Sequence, residues 1–263
     1  MDSERETHMK RGTILPVSVV LVTKNEEKNI RDALQSIGNV SEIIVVDDFS
    51  TDKTLEICRE FTGKVFQIEW KGYAAQKQTA IDLAAGPWVF LLDADERFTQ
   101  SLSEEVRRVV EQSGEYSGFF VPRKNYFLGR WIRHGGWWPD YTLRLFRKDA
   151  ARVEVRKVHE KVVVSGKTDF LDNPLEHFTY RTVSDYLKKM EIYSTLAAQE
   201  LKDKGKKSGI VTMCSHSAFT FVKMYFFRLG FLDGIHGFVL AVLYGYYAFL
   251  KYLKLWEASD DKS

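Results

Sequence analysis

Short apolar runs alternate with stretches of helical periodicity over the first ninety residues, and this alternation restricts the fold more than any other feature. The runs that read as buried strands lie at residues 17–22, 42–47, 64–68 and 88–92. Apolar residues recur between the first two runs at the spacing of one helix face: Ile30, Ala33, Leu34 and Ile37. Successive strand–helix–strand units form right-handed crossovers. The sequence therefore predicts an α/β fold with a parallel sheet, whose ligands bind beyond the carboxyl ends of the strands.

The sequence predicts that the whole chain divides into three parts. Thr182 begins a long helical pattern, so we expect a catalytic domain at 13–180 and a C-terminal helical region at 181–263. Residues 1–12 are expected to form a flexible N-terminus, partly of vector origin because His8-Met9 resembles a cloning junction. Cys58 and Cys214 lack any metal-type or redox-type spacing, which favours a reducing, cytosolic compartment.

Acidic side chains follow two of the predicted strands. Asp47 and Asp48 end the second strand, and Asp93 and Asp95 follow the fourth. The carboxyl ends of parallel strands share one sheet edge, so these side chains should lie near one another. The one-residue spacing of Asp93 and Asp95 lets both approach one hard cation, and Mg²⁺ and Mn²⁺ prefer such oxygen ligands. A lone pair of this kind is also common in surface turns.

Charge is unevenly distributed, although the formal net charge is only +2. Residues 1–96 contain 11 Lys and Arg against 17 Asp and Glu, whereas residues 97–157 contain 13 against 7. The basic segment indicates either an ordinary solvated face or a surface that binds an anionic acceptor. No nucleic-acid partner is expected.

Three motifs in the first half resemble the nucleotide-sugar half of family 2 glycosyltransferases. They are Thr-Lys-Asn-Glu-Glu at 23–27, Val-Val-Asp-Asp-Phe-Ser-Thr-Asp-Lys-Thr at 45–54, and Leu-Leu-Asp-Ala-Asp-Glu at 91–96. Segments 125–140, 143–147 and 158–160 resemble a narrower subgroup, which includes lipopolysaccharide inner-core β-1,4-glucosyltransferases that modify heptose. The resemblance implies a GT-A (Rossmann-like) nucleotide-sugar fold. It also implies that the protein transfers a hexose, namely glucose, from a UDP-sugar with inversion.

The resemblance also implies roles for the residues of these motifs. Asp47 would bind uracil, Asp93 would face ribose or sugar, and Asp95 would bind the divalent metal, Mg²⁺ or Mn²⁺. A turn made by Thr23, Asn25 and Glu26 would line the nucleotide, although Asn25 also reads as the N-cap of the first helix. Lys77 would reach the base or the diphosphate, or is a solvated helix lysine.

The catalytic base and the last metal contact follow from chain order in GT-A enzymes. A glycine-containing loop, an acidic base and a later histidine come after the metal carboxylates, and Gly135-Gly136, Glu160 and His177 fill these positions. Asp140 is the rival for the base, since it lies in an aromatic loop directly before a predicted strand. His177 would contact the metal or the diphosphate, or is a histidine hydrogen-bonded to a neighbour.

The segment after residue 122 is the expected acceptor region. Its basic side chains suit a phosphorylated, lipid-linked saccharide, because guanidinium groups bind phosphate bidentately: Arg123, Lys124, Arg130, Arg133, Arg144 and Arg147. Arg130 and Arg133 are the principal candidates. Trp137 and Trp138 are expected to stack on a sugar, or else belong to the core.

The C-terminal region predicts attachment to a membrane. Residues 234–250 contain no Asp, Glu, Lys or Arg, but these 17 residues are fewer than the roughly 20 that a spanning helix needs. We therefore expect a monotopic or peripheral protein at the cytoplasmic face of the inner membrane. The alternative is a helical hairpin that packs on the catalytic domain or in a homo-oligomer.

Two other function classes are compatible with the fold. A non-catalytic nucleotide-sugar-binding protein would have lost its chemistry, yet Asp93, Asp95 and Glu160 are all present. A nucleotidyltransferase usually has a glycine-rich, basic loop after the first strand, whereas residues 23–27 are acidic.

Overall fold

The computed structural model describes residues 14–112, 114–154 and 161–260. Contacts divide the chain into two compact units. The first contains the described residues up to Val121, together with Leu143–Val153 and Val162–Asn173, and the second contains Pro122–Thr142, Glu154, Lys161 and the described residues from Pro174 onward. The expected flexible segment at 1–12 lies outside the described residues. The domain boundary between 180 and 181 stays a prediction.

The described elements alternate between strand and helix in the first ninety residues, as predicted. The strands are β1 (Leu15–Thr23), β2 (Val40–Asp47), β3 (Val65–Gln67), β4 (Trp88–Leu91), β5 (Glu96–Arg97), β6 (Tyr116–Phe127), β7 (Arg130–Trp131), β8 (Asp140–Arg147), β9 (Ala151–Glu154), β10 (Lys161–Val164), β11 (Lys167–Phe170) and β12 (Leu175–Tyr180). The α-helices are α1 (Ile30–Ile37), α2 (Thr54–Phe61), α3 (Tyr73–Leu83), α4 (Gln100–Glu111), α5 (Val183–Asp203), α6 (Ile210–Val222) and α7 (Gly234–Asp260).

A mostly parallel sheet organises the first unit, in the order β3-β2-β1-β4-β8. β1 pairs in parallel with β2 and β4, β2 pairs in parallel with β3, and β8 pairs antiparallel to β4. Thr23 lies opposite Asp47, and Val20 lies opposite Leu91. The carboxyl ends of β1, β2 and β4 therefore meet at one edge, where the acidic motifs were expected.

Apolar side chains of this sheet form the core of the first unit. Val20, Ile44 and Leu91 are almost completely buried and belong to one cluster, with Ile81 of α3 and Phe146 of β8. Burial on both sheet faces explains why these strands read as continuous apolar runs.

In the second unit, helices pack against the end of a long strand. β12 pairs in parallel with the C-terminal half of β6, placing His177 opposite Asn125. α5 begins after Thr182, whose side chain accepts a hydrogen bond from the Asp185 amide while the Asp185 carboxylate accepts from the Thr182 amide. This reciprocal capping confirms the predicted helix start. A buried cluster includes Phe127 of β6 and Leu240 of α7.

The connection between α6 and α7 is irregular. A π-helical turn, Lys223–Phe227, continues α6, and a 3₁₀ turn, Gly230–Asp233, precedes α7. The helical stretch Gly230–Ser259 has a mean hydropathy of 1.3 and is long and apolar enough to cross a membrane, although only 28% of its most apolar window is buried. Length and composition alone do not separate a spanning helix from a surface-bound one.

Candidate active site

The Asp47 carboxylate lies at the end of β2 and is completely buried. It accepts hydrogen bonds from the Thr23 hydroxyl at 3.1 Å, from the Ser50 amide at 2.8 Å and from the Ser50 hydroxyl. In this conformation Asp47 fixes the turn that follows β2 and joins it to the end of β1. The expected contact of Asp47 with uracil stays a prediction.

The turn after β1 is held by the turn after β2. Asn25 has a positive φ of 54°, its amide donates to the Ser50 hydroxyl at 2.8 Å, and its side-chain oxygen accepts from the Thr51 amide at 2.8 Å. The Glu26 amide donates to the Thr54 hydroxyl at 2.7 Å. Asn25 therefore does not cap α1, which corrects the alternative reading, because its side chain is used by the neighbouring turn. The turn predicted to line the nucleotide is thus preorganised.

Two cations neutralise the carboxylates that follow β4. The Arg144 guanidinium, only 3% exposed, donates to Glu96 at 2.6 Å and also to Asp93. Burial lowers the pKa of Arg144, but the charges of Asp93 and Glu96 outweigh it and hold that pKa above its ordinary value. The Lys77 ammonium lies 3.8 Å from Asp93, and its side chain is 14% exposed, which does not fit a solvated helix lysine.

Asp95 is half-buried in the turn that follows β4. Among the residues that the structure describes, no group of three or more His, Cys, Asp or Glu side chains is arranged to hold a metal ion. Mg²⁺ in phosphate-handling sites is usually held by one or two carboxylates together with substrate phosphates, rather than by a cage of protein ligands. The expected role of Asp95 as a metal ligand stays a prediction.

A hydrogen-bond chain connects three polar side chains of the second unit. Asp140 accepts from Arg123 at 2.7 Å and from the Asn125 amide group at 3.0 Å. The same amide group donates to the Trp137 carbonyl at 3.1 Å, while the Asn125 side-chain oxygen lies 2.6 Å from Nδ1 of His177. The buried Asn125, 6% exposed, therefore joins the half-buried Asp140 to the half-buried His177. Glu160, the other candidate base, lies outside the described residues.

The tryptophans of the acceptor segment differ in their surroundings. Trp137 is 7% exposed and packs edge-on against Phe127 and Tyr244. In this conformation its ring belongs to the core, which is the alternative to stacking on a sugar. Trp138 is half-buried and meets Trp131 edge-on at 5.5 Å. The guanidinium of Arg133 lies 4.2 Å above the Trp131 ring. Without Trp137, the half-buried rings of Trp131 and Trp138 and the exposed Arg133 remain as candidate contacts for an acceptor.

The basic side chains expected to face an acceptor also differ. Arg130 and Arg133 are exposed, which is compatible with that role. The expectation is wrong for Arg144, because its guanidinium is buried against Asp93 and Glu96. Arg147 packs over Trp88 at 5.2 Å.

The loop that contains Arg133 is fastened to the connection between α6 and α7. Asp233, 3% exposed, accepts from the amides of Arg133 at 3.2 Å and His134 at 2.8 Å. The Gly135 amide donates to the Arg228 carbonyl at 2.8 Å. Gly136 has a φ of +87°, and a Cβ there would lie 2.1 Å from the Arg228 guanidinium. The positive φ favours glycine at this position, and a side chain there would also displace the Arg228 guanidinium.

Three residues of these networks were missed as site residues from the sequence. Asn125 belongs to segment 125–140, but the sequence assigns it no role. Arg144 reads from the sequence as one of the basic side chains that face an acceptor. Asp233 had a usable signal, because it is an isolated carboxylate within an apolar region and such groups are seldom buried without partners.

The family model and the relatives in sequence agree on one family of proteins. A model described as glycosyl transferase family 2 matches residues 18–163. The lipopolysaccharide core biosynthesis glycosyltransferase LpsC of Rhizobium meliloti is 30% identical over 255 residues, covering 92% of this chain and 93% of LpsC. An uncharacterized glycosyltransferase of Rickettsia typhi is 29% identical, with coverage of 92% and 87%. The structure of S. aureus TarS 1-349 in complex with UDP-GlcNAc aligns with a TM-score of 0.47 and 15% identity, covering 93% of this chain and 91% of that one.

Replacing Arg144 by Met should destabilise the first unit and weaken nucleotide binding. The change leaves the carboxylates of Glu96 and Asp93 without their buried cation, and breaking such a pair costs about 3–5 kcal/mol. Urea unfolding and UDP titration would measure both effects. Arg147→Met on the same strand is the matched control and should cost less than about 1 kcal/mol. Equal stability of the two variants would contradict the role given to Arg144.

Proposed function

This chain belongs to glycosyl transferase family 2 and has the mixed α/β GT-A-like fold of such enzymes, and we propose that it transfers glucose from UDP-glucose to a saccharide with inversion at the anomeric carbon. The observation that carries the proposal is the cluster at the end of β4. There, Asp93 and Glu96 are neutralised by Arg144 and Lys77, while Asp95 follows in the same turn.

The donor would be bound at the sheet edge where β1, β2 and β4 end. Thr23, Asn25 and Glu26 lie in the turn held by the β2 turn, and we assign them to the nucleotide, with Asp47 directed to uracil. Lys77 and Asp93 form a pair that suits the diphosphate–sugar boundary, because the ammonium attracts phosphate oxygens and the carboxylate accepts from sugar or ribose hydroxyls.

We assign the metal to Asp95, with His177 as a further contact. Divalent Mg²⁺ or Mn²⁺, when bound, supplies positive charge against the departing diphosphate. The position of Asp95, half-buried in the turn at the carboxyl end of β4, supports the assignment.

A carboxylate must take the proton of the acceptor hydroxyl. In the proposed displacement, the acceptor oxygen bonds to the anomeric carbon while the bond from that carbon to the diphosphate oxygen breaks. The nucleoside diphosphate leaves with the electron pair of that bond, and the proton passes to the carboxylate. Glu160 is the first candidate for this base on the basis of chain order, and Asp140 is the second.

The acceptor is proposed to be a phosphorylated, lipid-linked saccharide, and specifically a heptose of the lipopolysaccharide inner core. The name of the Rhizobium meliloti relative, which refers to lipopolysaccharide core biosynthesis, supports this class. Arg130 and Arg133 would bind phosphate, and Trp138 would offer a ring to the sugar.

We further propose that the enzyme lies on the cytoplasmic face of the inner membrane without spanning it. Apolar side chains of the α6–α7 connection are exposed, among them Phe226 at 53%, Phe227 at 75% and Leu232 at 54%. Lys223 and Arg228 flank these aromatic rings in the chain. An apolar surface bordered by cations suits an anionic bilayer, and such attachment would hold the enzyme beside a lipid-linked acceptor.

Release of UDP tests the proposed reaction. A panel of nucleotide sugars with Mg²⁺ or Mn²⁺ and heptose-containing acceptor should yield free UDP from UDP-glucose. Asp95→Asn should nearly abolish release, because an amide lacks the charge that holds a hard cation. Full activity after EDTA treatment would refute the metal assignment. Release of pyrophosphate would indicate a nucleotidyltransferase, and binding without turnover would indicate a non-catalytic module.

The two candidate bases can be separated by paired amide variants. Glu160→Gln should retain UDP-glucose binding and lower turnover by a factor on the order of 10²–10⁴, the usual contribution of a positioned general base. Asp140→Asn serves as its control in the same assay. Loss of turnover in Asp140→Asn, with normal turnover in Glu160→Gln, would exchange the roles.

Flotation with liposomes tests the membrane assignment. The double variant Phe226→Ser, Phe227→Ser should float less with anionic liposomes than the unaltered protein, and added salt should weaken flotation further. Phe170→Ser removes a similarly exposed ring from the first unit and should float normally, since Phe170 is 56% exposed. If the unaltered protein stays at the bottom of the gradient, the apolar surface packs on protein instead, and light scattering would then reveal an oligomer.

A further inference from the structure

The buried Asn125 amide contacts two acceptors and one histidine. Its nitrogen lies 3.1 Å from the Trp137 carbonyl oxygen and 3.0 Å from Oδ2 of Asp140. Its oxygen lies 2.6 Å from Nδ1 of His177. β6 and β12 place the two backbones directly opposite each other, so the contact between Asn125 and His177 is built into the strand register.

Hydrogen-bond chemistry determines the orientation of this amide. A backbone carbonyl oxygen can only accept, and so can an ionised carboxylate. The two N–H bonds of Asn125 must therefore point toward Trp137 and Asp140. The side-chain oxygen of Asn125 then faces His177, and this oxygen can only accept a hydrogen bond. The close contact is satisfied only if Nδ1 of His177 carries the proton.

The tautomer of His177 decides what its other nitrogen can do. When a neutral imidazole has its proton on Nδ1, the lone pair is on Nε2. A nitrogen with a lone pair can bind a metal ion, but it cannot donate a hydrogen bond to a phosphate oxygen. The Thr179 hydroxyl also lies near this nitrogen, 3.2 Å from Nδ1, and it can accept from the same proton.

We propose that Asn125 is a positioning residue, which holds His177 in the Nδ1-protonated tautomer and at the same time orients the Asp140 carboxylate. Asn125 acts through these two side chains and has no assigned contact with substrate. The inference rests on the proposed function for its role in transfer. In the neutral form of His177 this tautomer suits the proposed metal contact, since outer hydrogen bonds of this kind orient metal-binding histidines.

NMR spectroscopy can read the tautomer directly in the full-length protein labelled with ¹⁵N-histidine. The chain has 6 histidines, and His177→Gln identifies the signals of His177 by their loss. Two-bond ¹H–¹⁵N correlations should show a protonated Nδ1 in the unaltered protein. Asn125→Leu should abolish this preference. Asn125→Asp should keep it, because a carboxylate also accepts from Nδ1, and Thr179→Val should keep it as the matched control.

Metal binding provides a second measurement. In the presence of UDP, the affinity for Mn²⁺, followed by electron paramagnetic resonance, should fall about 10- to 100-fold in Asn125→Leu, the usual effect of losing such a partner. Asn125→Asp should retain Mn²⁺ affinity but lose turnover if Asp140 is the base, because a carboxylate then replaces the amide donor to Asp140 and only the contact from Arg123 remains.

Two outcomes would overturn the inference. One is a neutral His177 in the unaltered protein with its proton on Nε2 and none on Nδ1, and the other is an unchanged tautomer in Asn125→Leu. Circular dichroism would establish that this variant is folded, and Asn125→Asp supplies the second variant if it is not. Failure of the proposed function is a separate result, since UDP release does not enter the tautomer measurement.

Discussion

The buried ion pairs of Arg144 are the constraint on which the candidate donor site depends. Three carboxylates, Asp93, Asp95 and Glu96, lie within four consecutive residues at a strand end, and their mutual repulsion would oppose a folded turn. Arg144 neutralises Glu96 and Asp93 from the neighbouring strand β8. Desolvation makes such a pair costly to break, even where its net stabilisation is small. The arrangement therefore fixes the turn that follows β4.

Local pattern was sufficient for most of the first unit. The parallel strands β1, β2 and β4 were predictable because burial on both faces requires continuous apolar runs, and the acidic residues at their ends followed from parallel topology. The start of α5 was predictable because Thr182 and Asp185 cap the helix within four residues. Asn25 shows where such reasoning fails, since its side chain binds a turn 26 residues away instead of capping α1.

The missed side chains share one property, which is that long-range contacts determine their roles. Arg144 reaches residues about fifty positions earlier, and Asn125 meets His177, 52 positions later. Composition classed Arg144 as a surface cation, because charged side chains are seldom fully buried. Long-range contacts also decide the role of Trp137. The glycines before it predict a loop, but its ring packs against Phe127 and Tyr244. Sequence can propose the candidates, but the register between distant strands decides among them.

The connection between α6 and α7 combines two features that experiments must separate. Its aromatic side chains, such as Phe226 and Phe227, are exposed, whereas Asp233 and the Arg228 carbonyl hold the loop of Arg133 and Gly135. A truncation that removes the helical region would therefore also remove the support of the candidate acceptor loop. Loss of transfer after such a truncation would not identify a membrane anchor. Substitutions confined to the exposed rings, with Asp233 and Arg228 retained, separate lipid attachment from loop support, because these rings make no hydrogen bond to the loop.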